Sequence, residues 1–171
     1  NLIGAGIKPS SLIEEKAKRK ELMQLWSDWI EEADADGDGD FYGQQETVGR
    51  ALFEAGEVFA RFRPRLMSDG LTVPLQIELL ESEMCPYGLN QIAPNGNIIM
   101  NGVEFDFRNR RVAYWFYPNH PGDWAVDADM KKSLEPRRVP ASEVLHIFRR
   151  LRPGQVRGVP MIAPAMVKLF L

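Results

Sequence analysis

The stretch Gly56-Glu57-Val58-Phe59-Ala60-Arg61-Phe62-Arg63-Pro64, residues 56–64, is where the chain changes its period. Before it, Val48, Ala51, Leu52 and Ala55 recur at the i, i+3, i+4, i+7 spacing of one helix face. Gly56 fits the end of that helix, because glycine takes the left-handed backbone that closes a helix without a Cβ penalty. After it the period is two. Val58, Ala60 and Phe62 fall on one side of a strand, Phe59, Arg61 and Arg63 on the other, and Pro64 ends it.

Upstream, Ser10 or Ser11 is placed to cap a first helix, with Glu14 three residues after Ser11 completing a capping box. Leu22, Trp26, Trp29, Ile30 and Ala33 then form a helical stripe expected to pack on the body of the protein. The dense charges from Glu14 to Glu21 read as its solvated face. Downstream, Leu75, Ile77 and Leu79 alternate with Gln76, Glu78 and Leu80, and Asn95-Gly96 is a turn signal. Val103 to Phe107 and Val112 to Tyr117 read as the two strands of a hairpin joined by Arg108-Asn109-Arg110. Residues 119–136 read as a surface loop, Pro140 as a turn, and Val144 to Phe148 as a further strand. Pro164 suits the first position of a helix over residues 164–171, with Ala165, Met166, Leu169 and Phe170 on one apolar face and Ile162 stapled to Val167. Helices first and strands later predict an α+β fold with a mainly antiparallel sheet.

The 171 residues are 44% hydrophobic and 26% charged, an ordinary globular balance. A net charge of −3 argues against a dedicated nucleic-acid binder, so any contact with DNA has to come from local patches or geometry. No run approaches ~18 apolar residues, which excludes a membrane-spanning helix. The single Cys85 has no partner for a disulfide and reads as a half-buried thiol in a reducing compartment. The chain opens on Asn1 and closes on the apolar run Met166 to Leu171, and both ends are expected to be cut from a longer protein.

Asp34, Asp36 and Asp38, with Gly39 after them, match positions one, three, five and six of a calcium-binding EF-hand loop. The twelfth position, where a bidentate Glu closes the ion's shell, holds Gln45, and Glu46 comes one residue too late. A solvated acidic loop is therefore expected, with a calcium-binding module over residues 34–46 as the alternative. His120 lies in a turn-forming sequence and His146 inside a strand, neither with a metal-like partner at short spacing. The chain lacks a P-loop, a GxGxxG and a GxSxG elbow, so a hydrolase reading has no local support, and no catalytic, cofactor-binding or metal residue is assigned. Arg61, Arg63 and Arg65 share a strand face, and Arg149, Arg150, Arg152 and Arg157 flank Pro153-Gly154; both groups read as surface charge. Of the run Tyr114-Trp115-Phe116-Tyr117, alternate residues are expected in the core, the others under a loop or a partner.

Several segments in order resemble the lambda-type phage portal proteins. They are Asp40-Phe41-Tyr42-Gly43, Arg50 to Phe59, Gly102 to Asp106, Arg110 to Tyr114, His120 to Asp123 and Val139 to His146. The run Arg152-Pro153-Gly154-Gln155-Val156-Arg157-Gly158-Val159-Pro160 is the most specific, and the set covers nearly the whole chain. The resemblance implies a structural protein, not an enzyme, and no cofactor. It implies a homo-oligomeric ring, commonly of twelve subunits, at one capsid vertex, with DNA passing through its channel. Terminase docks on such a ring and head-completion proteins later plug it; the protein is then a virion component assembled in the host cytoplasm. By resemblance, residues 1–160 are a wing-like α+β domain and residues 161–171 the start of a stem helix.

Overall fold

The computed structural model of the protein describes residues 10–122 and 135–169. They form α1 (Lys16–Glu32), α2 (Phe41–Glu54), β1 (Glu57–Pro64), β2 (Leu75–Leu80), β3 (Gln91–Ile92), β4 (Ile98–Met100), β5 (Val103–Phe105), β6 (Arg111–Phe116), β7 (Arg137–Pro140), β8 (Val144–Phe148) and α3 (Ala163–Leu169). The fold is α+β. The strands make two sheets, of orders β2-β1-β8 and β3-β4-β5-β6-β7, where a single sheet was expected. The pairs β1–β8, β3–β4, β4–β5, β5–β6 and β6–β7 are antiparallel. The chain divides into two compact units, Asn1–Arg50 with Phe62–Leu79, and Ala51–Arg61 with Leu80–Leu171.

In the first unit, α1 starts at Lys16 and its N-cap Glu15 makes no side-chain capping bond. The expected Ser11–Glu14 box does not form, because Ser11 Oγ closes a tighter turn by accepting the Ile13 N–H at 3.3 Å. Only the C-terminal part of the predicted stripe is enclosed: Trp29, Ile30 and Ala33 are buried, while Leu22 is exposed. Trp26, Trp29 and Phe41 pack ring to ring at 5.2–5.6 Å, and the Trp29 indole donates to the Leu75 carbonyl at 2.7 Å. Asp40 caps α2 by accepting the Gly43 N–H at 2.7 Å.

The second unit holds a core of Phe59, Leu80, Met84, Cys85, Val103, Phe105, Tyr114, Phe116, Val139 and Val144. Within it Glu57, Val58, Phe59 and Ala60 are all buried, so β1 is covered on both faces there and the expected inside–outside alternation is lost. Residues 144–148 form β8 as predicted. The β5–β6 hairpin also forms, but its connection is longer than expected. Asp106 ends the strand early by accepting the Arg108 and Arg110 N–H groups at 2.9 Å each, and Asn109 takes φ +58°. Asn95-Gly96 turns a second hairpin between β3 and β4, strands too short to announce themselves by period. Arg137–Pro140 is a strand, so Pro140 ends a strand where a turn was expected; as an edge strand of its sheet it tolerates a proline at its end. Most of the predicted 119–136 loop lies outside the described residues. The final helix begins at Ala163, which makes Pro164 its second residue. Val167 is exposed, so the Ile162 staple does not bury it, and Phe170 is outside the described residues.

Candidate functional site

The most concentrated polar chemistry of the second unit is buried. Glu57, at the start of β1, is 0% exposed, and burial alone would raise its pKa. Its carboxylate is saturated instead. Oε1 accepts from Ser82 Oγ at 2.7 Å and from Arg157 Nε at 2.7 Å; Oε2 accepts the Gly158 N–H at 2.6 Å and faces His146 Nε2 at 2.9 Å. These bonds, with the Arg157 charge, outweigh the burial and hold the group at about 2. Arg157 is equally engaged. Nη1 donates to the carbonyls of Cys85 and Asn101 at 2.9 and 2.7 Å, and Nη2 to the Ser82 carbonyl at 2.8 Å. Its plane lies over the rings of Tyr87 and Phe59, 4.0 and 5.4 Å from their centroids.

His146 stacks between Phe59 and Phe148, with centroids at 4.3 and 4.4 Å. Its Nε2 faces Glu57, while Nδ1 is sealed from solvent with no hydrogen-bond partner. A proton on Nδ1 would be a buried, unanswered donor, and burial lowers the pKa of this imidazole.

The residues that feed this network come from the run between Arg152 and Pro160. Gln155, buried, accepts the Leu151 N–H at 2.7 Å and donates to the Arg157 carbonyl at 2.8 Å; Arg111 donates to the carbonyls of Gln155 and Val156 at 3.0 Å each. Gly158 then lies so close to Gly56 that a Cβ on either would overlap the other segment's backbone. A second buried carboxylate, Glu104 on β5, accepts from Asn95, Asn97, Trp115 and Arg138. Burial raises its pKa, but these partners, Arg138 first, bring it down to about 2.

Arg157 is thus a buried anchor, not the surface charge expected of it, and the sequence reading missed Glu57 and Glu104. Of the other arginines singled out, Arg61 pairs with Glu143 at 3.6 Å, Arg63 with Glu78 at 3.0 Å and Arg65 with Gln76 at 2.8 Å, while Arg149, Arg150 and Arg152 are exposed, as surface charge is. Tyr114 and Phe116 enter the core against Phe59, and Trp115, on the opposite face, donates to Glu104 at 3.1 Å. Cys85 is fully buried, not half-buried, and burial pushes its thiol up to about 12, far from a nucleophile's range.

In the acidic loop, Asp34 turns its carboxylate onto its own backbone. It accepts the N–H groups of Asp36, Asp38 and Gly39 at 3.0–3.3 Å and the Gln44 side-chain amide at 2.9 Å. Its flanks are tied to β2 by bonds of 2.7 and 3.0 Å between Ile77 and the backbone of Ala33 and Ala35. Asp36 titrates above its ordinary value, through burial and then the repulsion of Asp34.

Stability should follow pH through Glu57 and His146. Glu57 sits at about 2 folded against 4.5 unfolded, so its contribution is complete above 4.5 and is lost as pH falls toward 2. The folded pKa of His146 lies below 6.5, so the unfolded chain takes up its proton first and stability declines as pH drops below 6.5. Thermal denaturation against pH should show Tm falling below pH 6.5 and more steeply below 4.5. In His146→Gln, which keeps a donor toward Glu57 and removes the titration, the upper part of the decline should shrink. A Tm unchanged from pH 7 to 3 would contradict this account.

Chemically the centre is closed. The Glu57 carboxylate stands between Ser82 and His146, so the imidazole is not placed as a base for the hydroxyl, and no oxygen of that carboxylate is left to act on a substrate. The arrangement is a polar core that holds distant segments in register. A family model described as "Phage portal protein, lambda family" matches residues 1–170, and the chain belongs to that family. It is also similar to a probable portal protein of Halomonas phage phiHAP-1, at 35% identity over 82 residues. That match covers 48% of this chain and 15% of the relative, so the chain spans a small part of that protein's length. Among the described residues, no helix is long and apolar enough to cross a membrane.

Proposed function

We propose that this chain is the wing-like part of a portal subunit which, in the full-length protein, assembles into a ring at one vertex of the phage capsid. Twelve subunits surround a channel through which DNA is packaged and later ejected. Terminase docks on the ring during packaging, and capsid and head-completion proteins contact it afterwards. Residues 1–160 supply the wing-like body, and residues 161–171 begin the stem helix. The observation that carries this reading is the family match over residues 1–170. Two features agree with it. The net charge of −3 suits a channel component past which DNA slides without base-specific contacts. The last helix leaves Met166, Val167 and Leu169 exposed, an apolar surface that a seven-residue helix cannot cover by itself.

Negative-stain imaging of the full-length protein should show rings with a central hole. Light scattering should find the 171-residue chain as a monomer or weak oligomer, and a chain extended through stem and clip as large rings. Full-length particles without a hole would overturn the portal reading. A stable ring formed by the 171 residues alone would instead move the main interface into the wing.

A further inference from the structure

We propose that Glu81, Glu83 and His120 form a binding site for a divalent transition-metal ion of the zinc type, with Glu81 Oε2, Glu83 Oε2 and His120 Nε2 as its ligands. These three atoms lie within 4.8 Å of one another. The distances from His120 Nε2 are 3.3 Å to Glu81 and 3.2 Å to Glu83. Nevertheless Nε2 makes no hydrogen bond and is sealed from solvent. The two oxygens flank the nitrogen at ion-pair distance without a hydrogen bond to it. That spacing accommodates a shared ion: with Zn–N and Zn–O bonds of ~2.0–2.2 Å at tetrahedral angles, neighbouring ligand atoms stand about 3.3 Å apart. Imidazole with carboxylates suits zinc and its neighbours better than calcium or magnesium, which prefer oxygen alone.

The fold holds the three side chains in place. Ser82 and Met84 of the 3-10 turn Ser82–Met84 are buried, which leaves Glu81 and Glu83 on its solvent side. Ser82 is fixed by its bond to Glu57, and the segment leading to His120 is tied to the same turn by the Tyr117 N–H on the Met84 carbonyl at 2.8 Å. Both glutamates are mostly exposed, so solvent can fill the remaining coordination positions. One contact has to change. The Gly122 N–H donates to His120 Nδ1 at 3.0 Å, which keeps the ring proton on Nε2. An ion at Nε2 moves that proton to Nδ1, and the exposed Gly122 N–H turns to water.

Titration of the 171-residue chain with ZnCl2 by calorimetry, and with CoCl2 by visible absorption, tests the site. The expected result is one ion per chain, cobalt bands of tetrahedral intensity, and a change in the Gly122 amide resonance. His120→Gln, Glu81→Gln and Glu83→Gln should each weaken binding by about 100-fold or more, since even partners behind the ligands contribute 10–100-fold. Each variant should keep its metal-free melting temperature. Failure to bind one ion per chain overturns the proposal, and so does binding that all three variants retain.

Discussion

Arg157→Met is expected to lower the unfolding free energy by about 3–5 kcal/mol, the range for breaking one side of a buried ion pair. The cost comes from what the guanidinium leaves behind. Glu57 stays ionised in a site with no solvent, and the carbonyls of Ser82, Cys85 and Asn101 lose their donor. Against a typical stability of roughly 5–15 kcal/mol, such a loss leaves the second unit marginal. Glu57→Gln should cost less, because an amide oxygen can still accept from Arg157. The double replacement Glu57→Leu with Arg157→Met should cost less than the sum of the separate changes, since it leaves neither charge stranded. Urea denaturation of the four variants measures this. An Arg157→Met protein within about 1 kcal/mol of the unsubstituted chain would refute the anchoring role.

Gly158→Ala is expected to be comparably damaging by a different route. The new methyl would overlap the Gly56 carbonyl and stand 2.5 Å from Glu57 Cβ. Relief requires the backbone to part, and this would lengthen the 2.6 Å bond from the Gly158 N–H to Glu57. Gly56→Ala meets the Val159 backbone from the other side and adds the strain of φ +85°. Each should lower stability by at least about 2–3 kcal/mol, as over-packing in a closed core does. Gly154→Ala is the internal control. It has φ +70° but open space around it, so only the backbone term of about 1–2 kcal/mol applies. Equal losses at Gly154 and Gly158 in thermal denaturation would show that close backbone approach is not the cause.

The fold class was legible because period is local: the switch at Gly56 separates α2 from β1, and Val144 to Phe148 is β8 residue for residue. What escaped was set by distant partners. Arg157 reads as one more arginine near Pro153-Gly154 until Glu57, 100 residues earlier, is seen beneath it. Glu57 and Glu104 are charged residues in strands, and nothing nearby in sequence announces that each will be enclosed with donors from four other residues. The strands β3 and β7 are too short, or too polar, to show alternation. Glu81 and Glu83 meet His120 across more than thirty residues, which conceals that cluster from any test of local spacing. The run from Arg152 to Pro160 was recognisable as a family mark before its task was known. That task is to bring Arg157 and Gly158 onto Glu57.

The wiring of Glu57 also sets an order of events during synthesis. Its partners His146, Arg157 and Gly158 follow it by 89, 100 and 101 residues. A ribosome adding ~5–20 residues per second needs roughly 5–20 seconds to cover that separation. Throughout that interval the nascent chain carries a charged carboxylate at the head of Val58-Phe59-Ala60, apolar strand residues that are buried in the finished fold. Desolvating that charge before its partners exist is unfavourable, so the carboxylate keeps the apolar strand hydrated and delays its collapse onto the wrong surface. The group that locks the finished unit is therefore also the one that holds it open until the last of its pieces has emerged.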